Sequence, residues 1–432
     1  MMALPRFAKI RQTFHVESLK DIPGTVTEQF LRVNADEKIK PGMEIAITAG
    51  SRGIANIPLI VKSVADEIKK RGATPFVIPA MGSHGGATAE GQKEMLEGLG
   101  ITEEYTGCEI RSSMDVVEVG VTSEGIPVYV DKIAYNADGI IVMGRVKPHT
   151  DFKNKIESGV LKMASIGMGK HKQALALHTY GIKGISEMMP EVGKVAIANS
   201  KTLFGVAIVE NAHEETAIIE AIEPEQIEER ERELLKKAFA LMPSLPVDEI
   251  DILVVDEIGK NYSGTGMDTN IIGRIRVLGV TEPSKPAIKY IIASNLSEVS
   301  HGNALGIGLS DLTTKRLFEK IDHPAMNENV VTSTFLARAN IPIVLDNDQE
   351  ALKAALRATW GVAPEEARIV RIPNTLHIGE LFVSEVIFNE LKDKENIEVL
   401  EDLHEMMFDQ DGYFLPMGLG ADPHADRIKT TM

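Results

Sequence analysis

Three apolar runs in the first third of the chain each give way to a glycine-bearing polar loop, and this repetition restricts the fold more than any other feature. Glu44–Ala49 (EIAITA) is followed by Gly50-Ser51-Arg52-Gly53, and Thr74–Ala80 (TPFVIPA) by Gly82-Ser83-His84-Gly85-Gly86. Asp138–Met143 (DGIIVM) is followed by Gly144-Arg145-Val146-Lys147-Pro148-His149. Short runs that are apolar throughout, rather than alternating, are expected of strands covered on both faces. Helical spacing of apolar residues predicts helices from about Ile54 to Arg71 and from about Thr88 to Leu99. Asp115–Val119 and Pro127–Val130 flank a Ser123-Glu124-Gly125 turn and are expected as shorter strands. Strand, loop and helix in this order build a mostly parallel sheet flanked by helices.

The pattern recurs later. Pro224–Met242 is a charged amphipathic helix and reads as a connector, its Glu/Arg/Lys run as a solvated face. Beyond it, strands are expected at Ile250–Val255, Ile288–Ala293, Ile341–Val344 and Arg368–Ile372. Helices are expected near Leu312–Ile321, with Ser310 as N-cap, and at Gln349–Trp360, where Trp360 reads as a packing residue. A chain of 432 residues is too long for one ordinary core. The expectation is an α/β protein of two domains with mostly parallel sheets, residues 1–223 and 246–432, joined by 224–245. Its active site is expected in the cleft between the domains.

Composition narrows the function. Acidic residues exceed basic ones by 63 to 46, a net charge of −17, which argues against nucleic acid and anionic membrane surfaces as partners. An anionic substrate would need a local basic pocket. Cys108 is the only cysteine, so neither an intrachain disulfide nor a cysteine-rich zinc or iron–sulfur site is available. Met1–Phe14 lacks the apolar run of a signal peptide, and no apolar stretch reaches spanning length, so a cytoplasmic protein is expected.

In open α/β sheets, ligands sit beyond the carboxyl ends of the strands. Arg52, His84 and His149 each follow such an end. A single loop histidine is most often structural, but three polar residues on three strand exits point to a shared site. Arg52 suits a carboxylate, because a guanidinium fork meets both oxygens. His84 and His149 suit acid and base work near neutral pH. Gly85 and Gly86 can turn backbone N–H groups toward an anion, with Thr88 capping the next helix. Lys162 lies in the apolar run Gly159–Met168, where burial would lower its pKa and make its amine nucleophilic; a lysine reaching from a helix to water is the plainer alternative. His171 and His178 are too far apart along a straight helix, about 10 Å, to share one metal. Lys162 and His178 fall on nearly opposite faces of a continuous helix, so a joint role requires a break near Gly167 and Gly169.

Arg52 in Gly-Ser-Arg, His84 in Gly-Ser-His, His149 in Pro-His, Lys162 in Ser-Gly-x-x-Lys and then His178 form an ordered set. It resembles the nickel-dependent lactate racemase family, from about Ile45 to His178 in good order and more loosely elsewhere. The resemblance implies an isomerase carrying a nickel-pincer nucleotide (pyridinium-3-thioamide-5-thiocarboxylic acid mononucleotide), with Lys162 in thioamide linkage and His178 on the nickel. It implies His84 and His149 as acid/base residues on the two substrate faces, Arg52 as carboxylate anchor, and proteins that make the cofactor as partners. A 2-hydroxy acid would be racemised or epimerised through a planar keto acid, by hydride transfer to the cofactor and back. Departures bear on the substrate: Ala49 stands where an acidic residue is expected, and Lys153 and Lys155 offer charge to a second anionic group. Asn270 and Arg274 are the second-domain substrate candidates. A larger hydroxy acid than lactate is as good an expectation, and a homodimer is one assembly open to the chain. Two other classes stay open, a Schiff-base enzyme built on Lys162 and a non-catalytic nucleotide- or anion-binding protein.

Overall fold

The computed structural model describes residues 4–14 and 17–417. They divide into two compact units, residues 17–242 and residues 4–14 with 243–417. The first strand, β1 (Phe7–Gln12), thus belongs with the second half of the chain.

In the unit of residues 17–242 the sheet comprises β2 (Glu44–Ala49), β3 (Thr74–Pro79), β4 (Glu109–Ile110), β7 (Gly139–Arg145), β8 (Thr202–Glu210) and β9 (Thr216–Ile222). A separate hairpin pairs β5 (Val116–Val121) with β6 (Pro127–Asp131). Strand order is β4-β3-β2-β7-β8-β9, parallel throughout except for the antiparallel edge strand β9. From β2 the chain winds outward through β3 and β4, then returns to the other side of β2 as β7. The order therefore reverses between β2 and β7, a topological switch point of the kind that opens a crevice at the strands' carboxyl ends.

The strands read as uniformly apolar because both faces are covered. Ala46, Phe76, Ile78, Ile140 and Val142 enter one core, while Ile45, Ile47, Val77, Ile141 and Met143 enter the other. The helix Ile57–Lys70 places Ile57, Ile60, Val61, Val64 and Ile68 against the second of these cores at helical spacing. Thr88 caps the helix Ala89–Gly98 by accepting from Gly91 N at 3.1 Å. The helix Ile227–Leu241, read as a connector with a solvated charged face, packs Ile227, Leu234, Leu235 and Ala238 into the first core. Its Glu231 is buried with them.

The second unit's sheet adds β10 (Glu249–Val255), β11 (Ala287–Ala293), β12 (Leu312–Thr314), β13 (Ile343–Leu345), β14 (Ile369–Ile372), β15 (Glu380–Ser384) and β16 (Ile397–His404). Their order is β13-β12-β11-β10-β14-β15-β1-β16. β13 to β14 run parallel, and β15, β1 and β16 continue antiparallel. The α/β class and the predominance of parallel pairing match expectation. Two local readings do not. Ser310 does not open a helix: Leu312–Thr314 extends between β11 and β13, and the following helix Lys315–Glu319 is capped by Thr314, which accepts from Leu317 N at 3.2 Å. Buried β-branched Thr313 and Thr314 favour the strand. Trp360 lies past the helix Asp348–Ala358 and is 90% exposed, so it packs nothing. No helix among the described residues is long and apolar enough to cross a membrane.

Candidate active site

At the carboxyl ends of β3, β2 and β7, three adjacent strands, the backbone is stitched before the loops diverge. Thr48 Oγ1 accepts from Met143 N at 2.8 Å, tying β2 to β7, and Ala80 N donates to Ala49 O at 2.7 Å, tying the exits of β2 and β3. The exits lie side by side, so Arg52, His84 and His149 share one end of the sheet. Ser51 Oγ stands 2.5 Å from His84 Nδ1, which joins the first two loops directly. Gly85 and Gly86 both have φ of +64°, and a Cβ on Gly85 would lie 2.6 Å from the Gly91 backbone, so a side chain is excluded at Gly85.

The loop after β7 is folded on a buried carboxylate. Glu157 accepts from His149 N at 2.6 Å and from Asn154 N at 3.1 Å, and Lys153 stands 3.5 Å away. Lys153 Nζ also donates to His149 O at 2.7 Å, which occupies one of the two lysines that offered charge to a substrate. Phe152 stacks on the His149 ring at 4.4 Å. His149 Nδ1 accepts from Asp151 N at 3.1 Å, so the neutral ring carries its proton on Nε2. Nε2 lies 3.0 Å from Lys162 Nζ. An N–H facing an amine makes a hydrogen bond only if the amine is neutral and offers its lone pair. Burial lowers the Lys162 pKa to about 8, opposed by Asp151 and helped by Arg52 and Arg145, which brings the neutral amine within reach although the ammonium still predominates at pH 7.

Lys162 ends a short turn, Val160–Lys162, that runs into a π-helical turn, Met163–Gly167. The turn begins hard against β7, since a Cβ on Gly144 would lie 2.6 Å from the Gly159 backbone. Glu231 Oε2 accepts from Leu161 N at 3.1 Å, so a carboxyl from the helix Ile227–Leu241 holds the first N–H groups of the lysine's turn. After the π-turn, Lys170 takes a left-handed φ of +54° and opens the helix Lys170–His178. The break demanded by the Lys162–His178 spacing is therefore present, one residue past Gly169. Both residues lie within one electrostatic neighbourhood, because Lys162 lowers and Asp151 raises the His178 pKa, after the larger lowering by burial. His84 is pushed down to about 4 by burial, then by Arg52 and Lys162, and is neutral at pH 7.

Asn270 and Arg274 lie in the other unit, after β10. Arg274 Nη1 meets Asp311 Oδ2 at 2.6 Å and Leu309 O at 3.0 Å, and Nη2 donates to Ile288 O and Lys289 O, so this guanidinium is committed to structure. Asn270 Nδ2 donates to Asp268 Oδ1 at 2.9 Å, closing the turn that begins the helix Thr269–Ile272. A recess of about 690 Å3 is bordered by Arg274, Asp251, Lys289 and Arg368. It opens at the amino ends of β10 and β11, and these charges are paired with Asp311, Lys289, Asp251 and Glu390, which leaves it without a chemical signature. His424 lies outside the described residues.

Sequence reasoning missed Ser51, Asp151, Glu157 and Glu231. Glu231 had a legible signal: it falls on the stripe Ile227, Glu231, Leu234, Leu235, Ala238, which is the buried face of its helix.

Arg52, His84 and His149 thus gather at one sheet end by a switch point, with Lys162 3.0 Å from His149 and His178 within its electrostatic reach. Residues 29–186 match the family described as the lactate racemase N-terminal domain. Arg52, His84, His149, Lys162 and His178 all fall inside the matched segment; Asn270 and Arg274 fall outside it. Among solved structures, the fold is similar to the lactate racemase apoprotein from Thermoanaerobacterium thermosaccharolyticum. The TM-score is 0.53 at 13% identity, over 86% of this chain and 98% of that one. No curated protein sequence matches the chain.

Proposed function

We propose that this protein is a racemase or epimerase that inverts C2 of a 2-hydroxy acid, with a nickel-pincer nucleotide held on Lys162 and His178. The observation that carries the reading is the 3.0 Å contact between Lys162 Nζ and the His149 ring, in surroundings that lower the lysine pKa to about 8 and so bring its nucleophilic form within reach. The donor set fits such a group. No cluster of three or more metal-ligating side chains occurs among the described residues, which suits a metal that brings most of its ligands with its cofactor and takes one imidazole from the protein. When bound, the group would take up and give back the electron pair and hydrogen of the substrate C2–H bond.

The chain's own residues supply the rest. Arg52, exposed at the exit of β2 and close enough to Arg145 for mutual repulsion, is available to a carboxylate. With Lys162 Nζ in an amide-type bond to the group, its lone pair would be delocalised and His149 Nε2–H would be available to a substrate oxygen. His84, neutral at pH 7, is prepared to take a proton. Two carriers on adjacent strand exits answer the need for proton transfer on either face of a planar intermediate.

The test is intact mass and metal analysis of protein coproduced with cofactor-making enzymes, with chiral chromatography of a panel of 2-hydroxy acids. A cofactor-sized adduct lost in Lys162→Ala, with nickel lost in His178→Ala, is expected. Absence of both from protein matured in a competent host would overturn the reading. The lowered Lys162 pKa also favours one alternative, a Schiff-base enzyme; borohydride trapping of a keto acid on Lys162 without any nickel requirement would select it.

A further inference from the structure

Lys170 is fully buried, and its left-handed backbone is uncommon for a residue with a Cβ. Its ammonium donates to Pro79 O at the end of β3 and to Gln92 Oε1 at 3.2 Å, and forms an ion pair with Asp131 Oδ2 at 3.0 Å. Asp131, also fully buried, uses its other oxygen on Ile133 N and Ala134 N, at 2.8 and 3.0 Å. Gln92, buried on the helix Ala89–Gly98, gives its amide hydrogens to Gly82 O at 2.9 Å and His84 O at 3.2 Å. Both amide hydrogens of Gln92 are thereby used.

A methionine would fill the volume of Lys170 without the cost of burying a charge. An ammonium adds direction, because its bond to Gln92 Oε1, with the ammonium itself fixed by Pro79 O and the Asp131 ion pair, orients the Gln92 amide, and that amide grips the carbonyls on either side of Ser83. The turn so held also packs against the lysine's own segment, since a Cβ on Gly82 would lie 3.0 Å from Ile166 in the π-turn.

We propose that Lys170 and Gln92 are positioning residues for His84: Lys170 orients the Gln92 amide, and Gln92 holds the Gly82–His84 turn so that the imidazole stays against Ser51. This inference rests on the reading of His84 as a proton carrier. The charges that act on His84 are Arg52 and Lys162, with the Ser51 hydroxyl as its neighbour on the first loop.

The experiment is NMR titration of histidine-labelled protein without cofactor, with the His84 signal assigned by His84→Gln. Gln92→Glu keeps an acceptor for Lys170 but replaces both hydrogens that reach the turn. Lys170→Met removes the hub, and Leu96→Ala, on the same helix, controls for lost stability alone. His84 is expected to titrate near pH 4 in wild type and in Leu96→Ala, and at least one pH unit higher in Gln92→Glu and Lys170→Met. A wild-type titration in folded Gln92→Glu would overturn the proposal, and that variant decides the matter if Lys170→Met does not fold. Because no cofactor or substrate is used, failure of wild type to racemise any hydroxy acid would count against the function and not against this positioning role.

Discussion

In the second unit, Arg371 meets both oxygens of Asp256, at 2.7 and 2.8 Å, and donates a third bond to Leu415 O. In the first unit, Lys162 meets an imidazole instead of a carboxylate. Both cations are withdrawn from water on α/β sheets, yet they are treated in opposite ways. Burial pushes Asp256 up to about 6 and Arg371 only partly restores it, so the pair behaves as a structural tie. Lys162, its positive form disfavoured by burial, has its pKa lowered to about 8. A buried charge with a matched partner holds a fold; a buried lysine that gives up its proton readily is suited to chemistry. The comparison explains why the shared site gathers in one unit although both carry parallel strands.

The comparison can be broken most sharply at Lys162. Lys162→Ala should abolish turnover, a loss of at least about 10³-fold, while leaving thermal unfolding nearly unchanged. A large loss of stability instead would make the lysine structural, like Arg371. His149→Gln and His84→Gln should each lower kcat by about 10²–10⁴-fold in matured enzyme, read by chiral chromatography, with both variants still forming the Lys162 adduct. In the second unit, Arg371→Met should cost about 3–5 kcal/mol of unfolding free energy by denaturant titration at pH 7.5 and less below pH 6, where Asp256 is protonated. The mass adduct at Lys162 should persist in whatever fraction stays folded.

Glu231 gives a smaller effect with a definite sign. Its folded pKa is raised by burial to about 7, above an ordinary 4.5. The folded state therefore holds more protons between those values, and stability falls as pH rises through the window. Glu231→Gln should remove that slope, gaining roughly 1–3 kcal/mol on wild type between pH 5 and pH 8 by denaturant titration. The smallest effect belongs to Trp360→Ala, expected within about 0.5 kcal/mol because the ring is exposed.

How much of this was legible depends on the range of the interactions. β2, β3 and β7 are uniformly apolar because each is covered on both faces, and their glycine loops mark the strand exits, so Arg52, His84 and His149 could be read locally. The helix break between Lys162 and His178 could be inferred from spacing, though its form, a π-turn followed by a left-handed Lys170, has no residue signature. Glu231 was read as solvated because composition outweighed its place on the apolar stripe. Thr313 and Thr314 were assigned to a helix because a Ser-Asp pair mimics a cap where the strand is set by neighbours from distant segments. Asp151 and Glu157 act through the folded loop alone, and nothing in their spacing announces it.

The first strand has a consequence for how the molecule is made. Arg11 is bound by Glu380, 369 residues further along, and β1 lies between β15 and β16. On the ribosome, the opening strand must wait, with its hydrogen-bonding edges unpaired, while the whole first unit is synthesised and able to fold. Phe7, Ala8 and Ile10, all buried in the finished sheet, are exposed through that interval. β1 is thus synthesised long before β15 and β16, the two strands that complete its hydrogen bonding.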